Sequence, residues 1–136
     1  VKVLGLDVGD ARIGVAVAER GRPFAFGRGW IERRSREADA RAVAELAASE
    51  GAELIVVGLP RLTSGAEGAQ AAKVRRFAAA LEALGLRVVF ADERFTTRLA
   101  QGRISHLTKK KRQQKGRLDE AAAVAILEGY LEQSGE

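Results

Sequence analysis

Apolar positions recur along the chain with two different periods, and the changes of period divide it into elements. The runs KVLGLDV, from Lys2 to Val8, and RIGVAVA, from Arg12 to Ala18, are short and rich in β-branched residues. Both have strand length, and Gly9 and Asp10 between them are turn formers that predict a hairpin. A third strand over about Phe24–Glu32 completes a meander. The pattern then turns helical in READARAVAELAASE, with Ser35 placed to cap its start and Gly51 to end it in the left-handed conformation. AELIVVGLP follows as a buried strand stopped by Gly58 and Pro60. Ser64 and Glu67 have capping-box spacing, which predicts a helix opening there and running through AQAAKVRRFAAALEAL to Gly85. LRVVFADE is a fifth strand and LDEAAAVAILEGYL a closing helix. Between these two lies a polar, charged stretch in which Gly102 and Gly116 predict mobility rather than packing. The element order predicts an α/β fold: a five-stranded mixed sheet, made of a three-strand antiparallel meander plus two parallel strands, flanked by helices.

Composition narrows the setting. A chain of 136 residues with 46% hydrophobic content is expected to form one domain, residues 1–136, with one continuous core. There is no cysteine, which removes disulfides, thiol nucleophiles and thiolate metal sites. The longest apolar runs are strand-sized and interrupted by charge, so the expectation is a soluble, cytoplasmic protein. The net charge of +5 is unevenly spread. From Arg94 to Leu118 there are nine basic residues and no acidic one, whereas the remaining chain has fourteen basic against eighteen acidic residues. A flexible basic segment at about 94–117 is the expected footprint of a polyanion-binding arm. Aromatic residues make up only 5% of the chain and do not interleave with the basic run. Contact with the nucleic-acid backbone, not base stacking, is therefore the expected mode.

Three carboxylates call for a reason. Asp7 shares a strand face with Val3 and Gly5, where a lone charge is expensive unless something positive or protic meets it; Gly5 is expected to leave room for that partner. Glu93 follows the apolar run RVVFA at the carboxyl end of a strand, where open sheets gather their ligand sites. Asp119 opens the closing helix and lies on one stripe with Ala122, Ala123 and Ile126, the stripe expected to face the sheet. Taken singly, each acid has an ordinary structural use as a turn former, a surface residue or a helix-start residue. Taken together, three acids facing one core beside a basic segment point to divalent-cation ligation and phosphodiester hydrolysis. Other chemistries lack their motifs: the chain has neither GxxxxGK[ST] nor GxGxxG, and its one histidine, His106, belongs to the basic window with no HExxH pattern near it.

Three blocks, LDVGDARIGVAV, VVGLPRLTSGAEG running to ADERFTT, and LDEAAAVAILEGYL, resemble in order and spacing the YqgF family, also called RuvX, of small bacterial ribonuclease H-like nucleases. The resemblance implies a ribonuclease H-like fold and a catalytic, metal-binding triad at Asp7, Glu93 and Asp119, the same three acids. It implies Mg²⁺ or Mn²⁺ as cofactor. Two substrates follow from it: the 5′ end of precursor 16S rRNA, and four-way DNA junctions through relationship to RuvC resolvases. Junction cutting would call for a homodimer. On this reading Arg12 and Arg94 touch phosphate near the metal, or else pair with the acids themselves. Arg98, Arg103, Lys109, Lys110, Lys111, Arg112 and Lys115 would hold the nucleic-acid backbone. Two other classes remain as alternatives. One is a kinase or ATPase with an Asp-x-Gly phosphate loop, which needs two lobes where this chain supplies one. The other is a nucleic-acid-binding processing or transcription cofactor without catalysis.

Overall fold

The computed structural model describes residues 1–62, 64, 66–92 and 109–133, with the backbone alone given for 109–113. Among the described residues, five strands and three helices follow one another as β1 (Lys2–Val8), β2 (Arg12–Glu19), β3 (Ala25–Glu32), α1 (Arg36–Glu50), β4 (Ala52–Leu59), α2 (Ala69–Ala83), β5 (Val88–Asp92) and α3 (Lys109–Gln133). The strands form one sheet in the order β3-β2-β1-β4-β5. β1, β2 and β3 are antiparallel, and β1 pairs with β4 and β4 with β5 in parallel. This is the mixed sheet that the periodicity predicts. The helical crossovers between parallel strands are what a parallel pairing requires.

Strand alternation sorts the core into two layers. Leu4, Leu6, Val8, Ile13, Val15 and Val17 point to one side, where Val43 and Ala47 of α1 and Val74, Phe77 and Leu81 of α2 cover them. Val3, Ala16, Ala18, Leu54 and Val56 point to the other, under Ala123, Ile126, Leu127 and Leu131 of α3. The second layer is thinner because its sheet side is built from small residues. A Cβ added to Gly5 would stand 2.8 Å from Leu127 Cβ. The space at Gly5 is therefore filled by α3; it admits the helix, not a partner for Asp7.

Several local predictions hold in detail. Gly9 N–H donates to the Arg12 carbonyl (2.9 Å) and closes the β1–β2 turn. Ser35 Oγ accepts from Ala38 N–H (3.1 Å) at the start of α1, and Gly51 ends that helix at φ 71°.

Three local expectations are corrected. α2 begins at Ala69 with Gly68 as its cap, so Ser64 and Glu67 form no capping box. Glu67 is drawn away by Arg75, whose Nε and Nη2 both donate to it at 2.7 Å, a bidentate pair stronger than a single backbone contact. Asp119 does not open the closing helix. α3 begins ten residues earlier, at Lys109, because KKKRQQK is a run of good helix formers. Gly116 is buried inside that helix, where an added Cβ would stand 2.7 Å from Trp30 Cζ2. The part of the basic window from Lys109 onward is thus helix, and its glycine serves packing against the indole. The rest of that window lies outside the described residues.

Candidate functional site

The carboxyl end of β1 meets the amino end of β2 at one end of the sheet. Asp7, half-buried, pairs in the ladder with Gly14. A Cβ on Gly14 would fall inside the Asp119 carbonyl and 2.8 Å from the Glu120 nitrogen. Helix α3 therefore rests directly on Gly14, and Asp119 stands over the Asp7–Gly14 pair. Proximity of the two acids depends on the absence of a side chain at position 14.

Asp119 is 7% exposed and Arg12 is 6% exposed, and Arg12 Nε donates to Asp119 Oδ2 at 3.1 Å. Glu32 at the end of β3 lies 4.0 Å from Arg12 Nη1. Burial raises the Asp119 pKa above its ordinary 3.8, opposed by the hydrogen bond and charge of Arg12 and by the charge of Lys115 one turn earlier. Arg12 thus has the second of the two uses open to it in the sequence: it pairs with an acid of the site. Glu120, the next residue, accepts from Gly29 N–H, in a stretch of β3 where the register against β2 shifts and Gly29 takes φ 80°. Consecutive carboxylates of one helix thereby tie α3 to β2 and to β3.

Of the sequence-predicted residues, the structure brings together Asp7, Arg12 and Asp119. Lys115 is half-buried on the same helix, and Lys109, Lys110, Lys111 and Arg112 form its first turn. Glu93, Arg94, Arg98, Arg103 and His106 lie outside the described residues. Among the described residues no three histidine or acidic side chains are grouped to hold a metal ion, and no helix is long and apolar enough to cross a membrane.

A buried acid that the sequence reading passed over is Asp39, 1% exposed, on the core-facing stripe of α1 with Ala40, Val43 and Ala47. It accepts from Arg33 Nε (2.8 Å) and Arg34 N–H (3.1 Å), while Arg33 Nη1 reaches the Gly9 carbonyl (2.7 Å). The signal was present: a charge on an otherwise apolar helical stripe needs a cation, and ERRSR precedes it.

The whole chain has relatives of known name. A chain from Thermus thermophilus named "Putative pre-16S rRNA nuclease" is 50% identical over 131 residues, covering 96% of this chain and 97% of its own length. One of the same name from Moorella thermoacetica is 44% identical over 140 residues, covering 100% of this chain and 98% of its own. Among solved structures, Thermus thermophilus RuvC superposes with a TM-score of 0.57 at 18% identity, covering 99% of this chain and 97% of that one. That likeness places the architecture in the RuvC-like, ribonuclease H class of folds. Residues 1–133 match the family model RuvX, described as Holliday junction resolvase, and the chain belongs to that family.

Proposed function

We propose that this chain is a divalent-cation-dependent nuclease that acts in 5′-end processing of precursor 16S rRNA. The observation behind it is the juxtaposition of Asp7 and Asp119 at the carboxyl end of β1, which Gly14 makes possible. Two neighbouring carboxylates, one nearly out of water and fixed by Arg12, can share a cation that offsets their mutual repulsion. Their donor chemistry suits a hard cation: carboxylate oxygens, in a chain with no thiolate to offer a softer one. Asp7 and Asp119, with Glu93 as third member, would hold Mg²⁺ or Mn²⁺. When bound, such a cation supplies an activated water and stabilises the leaving oxygen of the phosphodiester.

The chain's own residues do the remaining work. Arg12 fixes the Asp119 carboxylate by its 3.1 Å hydrogen bond and, with Lys115, offsets the burial that favours protonation. Lys109 to Arg112, on the first turn of α3, would neutralise phosphates and set the strand's register without reading bases. The names of the full-length relatives support ribosomal RNA as substrate. The family description favours a second reading, a four-way DNA junction as substrate, which would require a two-fold dimer to cut symmetry-related strands.

The test is a cleavage assay with and without Mg²⁺ or Mn²⁺, on a precursor 16S rRNA 5′ leader and a four-way junction, using wild type and Asp7→Asn. Cation-dependent cleavage of the leader by wild type alone is the expected result. Equal cleavage by Asp7→Asn would remove the acid from the chemistry, and junction cleavage alone would move the protein to the second reading. Binding of either substrate with cleavage of neither would leave a non-catalytic nucleic-acid-binding protein.

A further inference from the structure

On the face opposite α3, a groove runs between α1 and α2. Its upper part, about 320 Å³, begins at Asp10 in the β1–β2 turn, three residues beyond Asp7, and is lined by five cationic side chains against two carboxylates. Its lower part, about 490 Å³, continues over Ala40, Ala79, Ala80 and Ala83, with Glu37, Arg41 and Leu84 also lining it. Arg36 and Arg76 line both parts, so the two are one continuous track.

The cations in this track differ in what they already hold. Arg33 is committed to Asp39, to the Gly9 carbonyl and to the face of Phe77 (5.3 Å to the ring centre), so it forms part of the wall. Lys73 reaches Asp10 at 3.3 Å, and Arg36 lies 3.9 Å from Glu37. The side chains of Arg34, Arg41 and Arg76 are exposed and have no acidic partner among the described residues. Other exposed arginines are paired, among them Arg22 with Glu19, Arg28 with Glu50 and Arg75 with Glu67. Like charges around a shared concavity repel, and a polyanion lying in it relieves that repulsion while releasing its own counterions. Among the described residues, the lower part has no aromatic side chain in its lining on which a base could stack, which suits contact with a sugar-phosphate backbone.

We infer that the α1–α2 groove, through Arg34, Arg36, Arg41 and Arg76, binds the phosphate backbone of the substrate strand as it leaves the end of the sheet that carries Asp7. The inference rests on the nuclease reading for the identity of the polyanion. It adds a second contact surface, on the side of the sheet opposite α3. A second copy of this chain is a poorer occupant, because a two-fold contact at this face would set the same arginines against one another.

The test is the salt dependence of binding of a fluorescein-labelled single-stranded RNA with the 16S leader sequence, measured by anisotropy in EDTA. The full-length wild type is compared with the double variant Arg34→Gln/Arg76→Gln, its charge-keeping counterpart Arg34→Lys/Arg76→Lys, and Arg22→Gln. Each lost phosphate contact on a single strand removes about 0.7 from the slope of log K against log salt, so the double Gln variant should lose about 1.4 and bind about 25-fold more weakly at 0.1 M salt. The Lys pair should keep most of the slope, and Arg22→Gln all of it. Wild-type slope and affinity in the double Gln variant would overturn the inference, as would an equal loss in Arg22→Gln. Conversion of a dimer to a monomer by sedimentation, with RNA binding unchanged, would make the groove an interface between copies and overturn it too. The two readings fail separately. Cation-dependent cleavage with normal binding by the double Gln variant discards the groove alone; a reduced slope in a protein that cleaves nothing discards the nuclease alone.

Discussion

Replacing Gly14 with alanine should damage the site without touching any of its charges. The added Cβ would fall inside the Asp119 carbonyl and 2.8 Å from Glu120 nitrogen. Ordinary contact begins near 3.4 Å, so α3 must withdraw by at least about 0.6 Å at the nitrogen and by more at the carbonyl. Neither atom can rotate away, since both belong to the backbone of a 25-residue helix. Overpacking of this kind costs about 1–3 kcal/mol. Because the withdrawal moves Asp119 away from Asp7, activity should fall further than stability does. A misplacement of about 1 Å is associated with losses on the order of 100-fold.

Gly129→Ala is the matched control. It lies on the same helix with nothing within 4 Å of the added Cβ, and should stabilise by about 0.5–1 kcal/mol through helix propensity alone. Urea denaturation gives the stability of each variant, and cleavage of the leader RNA well below the unfolding midpoint gives the activity. Wild-type stability and turnover in Gly14→Ala would refute the claim that contact between α3 and β2 sets the spacing of the two acids. An equal effect of both substitutions would reduce it to a property of the helix.

Two further perturbations test the surroundings of the site. Arg12→Gln takes from the buried Asp119 charge the guanidinium that hydrogen-bonds it, so at pH 7 it should destabilise by about 3 kcal/mol in urea denaturation. With Arg12 gone the folded-state pKa of Asp119 rises further above 3.8, so the deficit should be full above that pKa and shrink as the pH falls toward 3.8; a deficit constant with pH would refute this. Gly116→Ala should push against the indole of Trp30, an overlap of the kind that costs about 1–3 kcal/mol. Trp30 is the chain's one tryptophan, so unchanged fluorescence together with an unchanged melting temperature would show that α3 does not bear on it.

The sheet was legible because its signals are local and redundant. Strand alternation in KVLGLDV and RIGVAVA, turn residues between them, and the Ser35 and Gly51 caps each specify the same answer as the burial they produce. The stripe containing Asp119, Ala122, Ala123 and Ile126 was equally readable, and all four are buried. What failed were features decided by a distant partner. Nothing near Ser64 announces that Arg75 will take Glu67, and Gly116 reads as a breaker until Trp30 is placed against it. Gly5 and Asp7 share a face, but only the position of Leu127 shows that the room at Gly5 belongs to the helix.

The position of Asp119 well inside α3 changes what its burial means. A carboxylate at a helix start is favoured by the dipole and by unpaired N–H groups, and needs no other cation. An interior one has neither, and at 7% exposure its charge must be met by side chains. Here Arg12 of β2 meets it, and because that guanidinium is itself 6% exposed, removing either group takes a hydrogen-bonded opposite charge from a buried one. Such a pair is a poor way to gain stability, since apolar residues of similar size would do as well or better. Its use must therefore lie in holding one oxygen-bearing group of α3 in a fixed relation to β1 and β2. Glu120 does the same toward Gly29 of β3. The expensive interactions of this helix converge on the end of the sheet where Asp7 emerges, as expected if the chain's chemistry is done there.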